Sequence, residues 1–185
     1  GHGIEAALLM GLAKKLIEVH ARGVDSPAQT LCLANRDIFS DLDERTFVTV
    51  FYGLLDTETR RFKFSRAGHD PLILYNERQT PPLQVLDSQG MALGMDEGPL
   101  FERMIEELEI DLTSGDLILQ YTDGVTESMN SKSEQFGQDR LYAVVEEYGR
   151  HEVEYLLWKI ERAVEAFRGG EPRADDFTMV GFKVL

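Results

Sequence analysis

Two helical segments, a run of strands, two more helical segments and one closing strand follow each other along the 185 residues. Apolar residues recur three or four positions apart in the helical segments, whereas β-branched and aromatic residues fill the strand segments. The helical segments lie in 4–22, 27–42 and 139–168, and the strand segments lie in 46–121 and 177–185. This order predicts an α+β fold with layered antiparallel sheets, because a parallel sheet would need strands and helices in alternation.

Local sequence patterns predict the position of two of these elements. Ser26, Pro27 and Gln29 form a capping-box pattern with proline at the first helical position, which predicts the start of the second helix. Phe62 and Phe64 alternate with polar residues after a turn, which predicts the second strand of a hairpin.

Two later segments give further strand predictions. The alternating stretch MIEELEIDL, 104–112, predicts one strand. The closing stretch FTMVGFKVL, 177–185, predicts another, and we expect it to return to the early strands and pair with them.

The charge balance limits the partners of this chain. It carries 33 acidic and 19 basic residues, a formal net charge of −14, whereas nucleic acids and anionic membranes attract basic patches. We therefore expect no nucleic acid or membrane partner, and a phosphate ligand would need a cation. Cys32 is the single cysteine, so no disulfide forms within the chain, which favours a reducing compartment such as the cytoplasm.

The chain opens on a glycine turn, 1–3, that is typical of a close contact with a ligand or with another part of the fold. Gly1, His2 and Gly3 run directly into a helical pattern, and a glycine turn before a helix allows close approach to unpaired N–H groups. Gly1, Gly3 and Ala6 also match a dinucleotide-binding fingerprint, but no strand precedes them, which disfavours that fold. Phosphate is the ligand that such a helix start favours.

Two acidic stretches lie beside strands. The apolar strand LILQY leads to Asp123 and Gly124, and Asp175 and Asp176 directly precede the closing strand. Carboxylates fixed at strand ends are suitable ligands for hard divalent cations, and a glycine next to one leaves room for a ligand.

Each of these features also has an ordinary structural interpretation. Asp123-Gly124 is a common hairpin turn, and Asp175-Asp176 is compatible with a solvated acidic loop. His2 and His69, the latter in the stretch AGHDP, are compatible with hydrogen-bonded turn residues. Taken singly, none of them decides a function.

Taken in order, these stretches resemble one family, the metal-dependent PPM-type (protein phosphatase 2C-like) serine/threonine phosphatases, in their bacterial SpoIIE and RsbU branch. The resemblance covers almost the whole chain. It is carried by GHGIEAALLM, TFVTVFYGLLD, SRAGHDPLILY, MALGM, YTDGVTE and DDFTMVGFKV. It implies an α-β-β-α sandwich of two antiparallel sheets flanked by helices, with two Mn²⁺ or Mg²⁺ ions in the complete domain.

The resemblance also implies roles for particular residues. Asp123 matches a metal-ligating and catalytic aspartate, and Asp175 matches the first aspartate of the closing pair, with the same role. Asp176 is a weaker candidate ligand or an orienting group, and Gly124 keeps the site open. The Gly1-His2-Gly3 turn (1–3) matches the second half of the family motif Asp-x-x-Gly-x-Gly. His2 and His69 are candidates for contacting the substrate or shaping the site, and His2 is also a candidate catalytic acid.

We therefore expect 1–185 to be a single phosphatase domain that lacks its first strands and the first half of a ligand motif, whose aspartate would lie upstream of Gly1. Such a chain should bind metal weakly and hydrolyse phosphate poorly. The resemblance implies that Ile4, Leu8 and Leu12 anchor the first helix on the core.

The resemblance further implies a set of partners. The substrate would be a phosphorylated regulatory protein such as an anti-sigma-factor antagonist. An upstream sensor or receiver domain in the same chain would act on 4–42. The sequence leaves the oligomeric state open, with a homodimer as one of the assemblies it allows. Two alternatives stay open: a catalytically silent module that binds such a regulator, and an acidic scaffold.

Overall fold

The computed structural model describes residues 3–43, 45–173 and 175–185. The chain divides into two compact units, each built from two chain segments. The first unit comprises 1–69 and 88–111, and the second comprises 70–87 and 112–185. Each unit contains one antiparallel sheet and helices that pack on it. The predicted α+β class, with two antiparallel sheets and their helices, is confirmed.

The helices and strands alternate irregularly along the chain. In chain order they are α1 (Ile4–His20), α2 (Pro27–Phe39), β1 (Val50–Asp56), β2 (Arg61–Ala67), β3 (Leu72–Tyr75), β4 (Leu83–Leu86), α3 (Pro99–Met104), β5 (Glu107–Asp111), β6 (Leu117–Tyr121), α4 (Asp123–Thr126), α5 (Gly137–Tyr148), α6 (Val153–Arg168) and β7 (Met179–Lys183).

The first unit is organised around a three-stranded sheet of order β1-β2-β5, with both pairs antiparallel. Phe62 and Phe64 of β2 are buried, and the ring of Phe64 stacks on Phe51 with centroids 5.3 Å apart. Helix α2 packs against β1 and β2, and its Leu31 and Ile38 are fully buried. The predicted hairpin is confirmed, and so is the predicted second helix, which ends slightly earlier than expected.

The capping prediction for α2 is also confirmed. The hydroxyl of Ser26 accepts a hydrogen bond from the backbone N–H of Gln29 at 3.2 Å, and Pro27 occupies the first helical position. Ser26 also donates to Glu107 at 2.6 Å, so the cap ties the start of α2 to β5.

The second unit is organised around a four-stranded sheet of order β4-β3-β6-β7, all pairs antiparallel. Every residue of β3 is buried, and Ile73 and Tyr75 belong to the core cluster that includes residues of α5 and α6. Helices α5 and α6 supply the facing side of this core with Leu141, Val145, Leu156, Ile160 and Val164.

The prediction for the pairing of the closing strand is wrong. Strand β7 pairs antiparallel with β6, with Leu117 opposite Lys183 and Tyr121 opposite Met179. Leu117 and Tyr121 are buried, so β6 lies inside a sheet and needs a ladder partner on each edge. Strand β3 fills one edge, and β7 fills the other.

The prediction of one strand over 104–112 is partly wrong. Met104 ends helix α3, and β5 starts only at Glu107. The carboxylate of Asp96 accepts hydrogen bonds from the backbone N–H groups of Leu100 and Phe101 at 2.9 and 3.1 Å. Asp96 thus satisfies two free N–H groups at the start of α3, whose first residue is Pro99, a signal that the alternating pattern of the following residues obscured.

The prediction for the anchoring of α1 is correct only in its second half. Leu12 and Ala13 pack in the core of the first unit, whereas Ile4 and Leu8 are 81% and 69% exposed. The core therefore meets α1 only from Leu12 onwards. None of the helices in the described ranges is both long and apolar enough to cross a membrane.

Candidate active site

The turn after β6 presents Asp123 at the surface. The strand before it is almost completely buried, and Thr122, in an extended conformation, caps the short helix α4 that Asp123 begins. The backbone carbonyl of Asp123 accepts from Glu127 N–H at 2.7 Å, and Ser128 donates to the carbonyl of Gly124 at 2.7 Å. The Asp123-Gly124 pair is therefore a helix start and not a hairpin turn. The exposed carboxylate of Asp123 thus extends from a backbone segment that these hydrogen bonds hold in place.

Thr122 joins this turn to the one that carries the acidic pair. Its hydroxyl donates to the backbone carbonyl of Asp176 at 2.8 Å and accepts from the N–H of Thr178 at 3.0 Å. The backbone N–H of Thr122 also donates to the carbonyl of Thr178 at 3.0 Å. Three hydrogen bonds thus bring together two segments that are distant in sequence.

Gly124 allows the two turns to touch. A β-carbon at this position would lie 2.3 Å from the backbone oxygen of Asp176 and 2.9 Å from its carbonyl carbon. Both distances are far below normal contact, and backbone atoms cannot rotate away as a flexible side chain does. Glycine is therefore required by the close approach of the Asp176 backbone.

An ion-pair cluster holds the other side of the acidic turn. The guanidinium of Arg173 hydrogen bonds to Glu165 at 2.6 and 3.1 Å and to Glu161 at 3.1 Å, both on α6. It also lies 4.7 Å from the centroid of the Phe177 ring. The hydrogen bond from Arg173 lowers the pKa of the Glu165 carboxyl below its ordinary value. Arg173, which is close to Asp175 in sequence, therefore forms ion pairs with carboxylates of α6.

The predicted site residues fall into three groups. Asp123, Gly124, Asp175 and Asp176 (123–124 and 175–176) belong to the second unit, on the two turns that Thr122 joins. Gly3 and His69 belong to the first unit. Gly1 and His2 (1–2) lie outside the described residues.

Gly3 and His69 each have a clear local role in the first unit. Gly3 is the N-cap of α1 with a φ of 98°, a conformation that favours glycine, so this one residue of the predicted turn does lead into the helix. His69 is half-buried in the turn after β2, and its backbone carbonyl accepts a hydrogen bond from Arg66.

The donor chemistry of the two joined turns fits a hard divalent cation. Asp123, Asp175 and Asp176 are all exposed and supply carboxylate oxygens, which Mg²⁺ and Mn²⁺ prefer. Within the described ranges, no group of three or more His, Cys, Asp or Glu side chains converges as a metal-holding cluster. The ligand roles of these aspartates stay predictions.

Replacing Thr122 by Val is expected to lower the free energy of unfolding by about 1–2 kcal/mol. The change keeps the shape of the side chain and removes the donor to Asp176 and the acceptor for Thr178. Urea unfolding followed by circular dichroism measures the loss. Thr122→Ser keeps the hydroxyl and is the matched control; an equal loss in both variants would contradict a role for the hydrogen bonds.

Comparison with known proteins identifies the family. The family model described as Stage II sporulation protein E (SpoIIE) matches residues 1–185. The chain belongs to the SpoIIE family. The predicted resemblance is confirmed over the whole sequence.

Among relatives of this SpoIIE-family chain, the phosphoserine phosphatase RsbU of Bacillus subtilis (strain 168) is 30% identical over 127 residues, which cover 69% of this chain and 36% of RsbU. The chain spans about a third of the length of the curated relatives that it matches.

Solved structures show the same fold. The SiaA-PP2C domain of Pseudomonas aeruginosa superposes with a TM-score of 0.83 at 20% identity, covering 99% of this chain and 71% of that domain's chain. RsbX, solved in complex with magnesium, gives a TM-score of 0.67 at 14% identity, covering 98% and 75% of the two chains. This SpoIIE-family chain therefore has a PP2C-type fold.

Sequence reasoning missed two residues that build the site of this SpoIIE-family chain. Thr122 lies in the YTDG stretch, directly before Asp123. Its hydroxyl, next to a candidate metal ligand, was the sequence feature that could have indicated its role. Arg173 gave no such signal, because its partners Glu161 and Glu165 lie on α6 and only the fold brings them together.

Proposed function

We propose that this SpoIIE-family chain is the catalytic part of a metal-dependent protein phosphatase that hydrolyses phosphoserine or phosphothreonine. The substrate would be a small bacterial regulatory protein, such as an anti-sigma-factor antagonist. Family membership over the whole chain and the 30% identity to a phosphoserine phosphatase support this class of activity.

The observation that carries the proposal is the pairing of the two acidic turns. Thr122 holds the Asp123 turn and the Asp176 backbone together, and Gly124 leaves no space between them. A surface acidic loop with no ligand has no need for this close packing, whereas ligands of one cation must have fixed positions.

Each residue has a defined task in this proposal. Asp123 and Asp175 would hold Mn²⁺ or Mg²⁺ through their carboxylates, and Asp176 would ligate or orient beside them. When bound, such ions supply hydroxide at neutral pH and positive charge for the phosphoryl oxygens. Thr122 and Gly124 fix the spacing of the turns, and the net charge of −14 makes a phosphate substrate dependent on these cations.

We further propose that these residues form one domain at the output end of a longer, cytoplasmic signalling protein. Upstream residues would complete a two-ion site, and a sensor or receiver domain would act on 4–42. The exposed first half of α1, with Ile4 and Leu8 uncovered, supports contact with another segment or domain.

The alternative function is a catalytically silent module that binds the regulator without hydrolysing it. One observation favours it: in the part of the chain that the structure describes, the acidic side chains form no group of three ready to hold a metal. The aspartates on paired turns favour the enzyme, because binding alone does not need them.

The test is hydrolysis of a phosphoserine peptide and of an aryl phosphate, with Mn²⁺ or with EDTA. We expect the longer protein that contains these residues to be active only with Mn²⁺, and the 185-residue chain alone to be weakly active. Failure of the longer protein on both substrates, and on intact phosphoproteins, would reject the enzyme and favour the silent module.

A further inference from the structure

The outward face of α6 carries an exposed aromatic cluster. Trp158 is 50% exposed and Tyr155 is 41% exposed, and their ring centroids are 5.8 Å apart. Tyr155 also contacts Tyr148 of α5, with centroids 6.1 Å apart. Lys159 lies over these rings, with its Nζ 5.4 Å from the Trp158 centroid. Aromatic side chains at the surface in such a group are typical of protein–protein contact sites.

Trp158 occupies the position of α6 that points furthest from the core. The buried residues Leu156, Ile160 and Val164 form the inner face of the helix. At about 100° per residue, Trp158 lies roughly opposite Leu156 and Ile160. Trp158 does not belong to the core cluster of the second unit, and its exposed half is available for contact with another molecule.

The charges on either side of Trp158 are opposite and symmetrically placed. Glu154 precedes it by one helical turn and Arg162 follows it by one turn, and both side chains are exposed. The three residues lie on one ridge of the helix, with the two charges each about 6 Å along the axis from Trp158. A two-fold axis through Trp158 would place each Glu154 against Arg162 of a second copy.

We propose that α6 is the contact surface of a homodimer in which two copies pair antiparallel about Trp158. The pattern is self-complementary only in this arrangement, because a parallel pair would oppose like charges. The two Trp158 side chains and the adjacent Tyr155 rings form the aromatic centre, with each Lys159 over the rings of its own copy, and two Glu154–Arg162 ion pairs flank it. The inference does not depend on phosphatase activity.

The dimer is expected to be weak and reversible. One helix from each copy buries less area than the 1,200–2,000 Å² or so of a standard interface. Each copy also carries a net charge of −14, so repulsion opposes association until salt screens it. Dimerisation should therefore depend on protein concentration.

Sedimentation equilibrium of the whole chain at about 150 mM salt tests the proposal. Glu154→Arg and Arg162→Glu are each expected to weaken dimerisation about tenfold, because both flanking pairs become repulsive. The double variant E154R/R162E restores the pairs and should restore the dimer. Glu97→Arg is the control for Glu154→Arg, because it makes the same charge change at an exposed position of the first unit. It should leave the dimer intact.

Fluorescence provides an independent readout, because Trp158 is the single tryptophan of the chain. Its emission should shift to longer wavelength on dilution, and Trp158→Ala should weaken dimerisation at least about 30-fold. Thermal melting confirms that each variant is folded. A chain that is monomeric at every concentration, or a dimer that survives Trp158→Ala and both charge reversals, would overturn the proposal.

Discussion

Asp123→Asn is expected to lower the Mn²⁺-dependent phosphatase activity of the longer protein at least about 100-fold. Substitutions of groups that only orient a metal ligand already cost about 10–100-fold in affinity or activity, and Asn removes the charge of the ligand itself. The exposed side chain begins α4 and is not part of the core, so the fold should survive. Hydrolysis of a phosphoserine peptide over a range of Mn²⁺ concentrations measures the effect.

Asp139→Asn is the matched control for this change. Asp139 is also an exposed aspartate in the first turn of a helix of the second unit, and it lies outside the two joined turns. Its replacement should leave activity within about twofold, as for surface substitutions in general. Equal activity of the Asp123 variant and the unchanged protein at saturating substrate and limiting Mn²⁺ would remove Asp123 from the site.

Gly124→Ala should cost both activity and stability. The added β-carbon would lie 2.3 Å from the Asp176 carbonyl oxygen, so the two turns must move apart by about 1 Å or more to reach normal contact. A displacement of this size is expected to lower activity about 100-fold. Overpacking of this kind should also reduce the free energy of unfolding by about 1–3 kcal/mol.

Gly11→Ala is the control for the glycine-to-alanine change. Gly11 lies within α1, and a β-carbon there would meet no atom within 4 Å apart from its chain neighbours and the backbone of its own helix. Because alanine favours the helix, the free energy of unfolding of the Gly11 variant should stay equal or rise by up to about 1 kcal/mol. Urea unfolding compares the two variants, and activity assays compare Gly124→Ala with the unchanged protein. A Gly124→Ala protein with normal activity and stability would show that the turns do not need this contact.

The class of fold follows from the sequence because most of the longer elements carry their own local signal. Ser26 and Pro27 predict the start of α2, and the alternation of Phe62 and Phe64 with polar residues predicts the hairpin. Both signals act within a few residues, where sequence spacing and spatial position are directly linked.

Long-range pairings do not follow from the sequence in the same way. The pairing of β7 with β6 depends on which sheet edge is open after the other strands have paired, which no local pattern contains. Similarly, the family resemblance implied that Ile4 and Leu8 anchor α1 on the core, but both are exposed. Their helical spacing shows only that the helix has an apolar face. It does not show how far along the helix a covering partner extends.

In the candidate site, too, individual residues could be predicted from the sequence, but the contacts between distant segments could not. Asp123, Gly124 and the acidic pair 175–176 could be named from the sequence because their order resembles a family motif. The bonds that join the turns could not, because Thr122 and its partner Asp176 are 54 residues apart. A hydroxyl that crosslinks two loops has the same sequence appearance as any other threonine.

The separation of Thr122 from Asp176 also has a consequence for biosynthesis. A ribosome needs roughly 3 to 11 seconds to add 54 residues, so the Asp123 turn leaves it well before the segment that completes the pair. During that interval β6 has no β7 beside it, and Gly124 lacks the Asp176 backbone that packs against it. A nascent chain cannot assemble the two turns, and any activity of this site begins only after the strand that follows α6 has been synthesised.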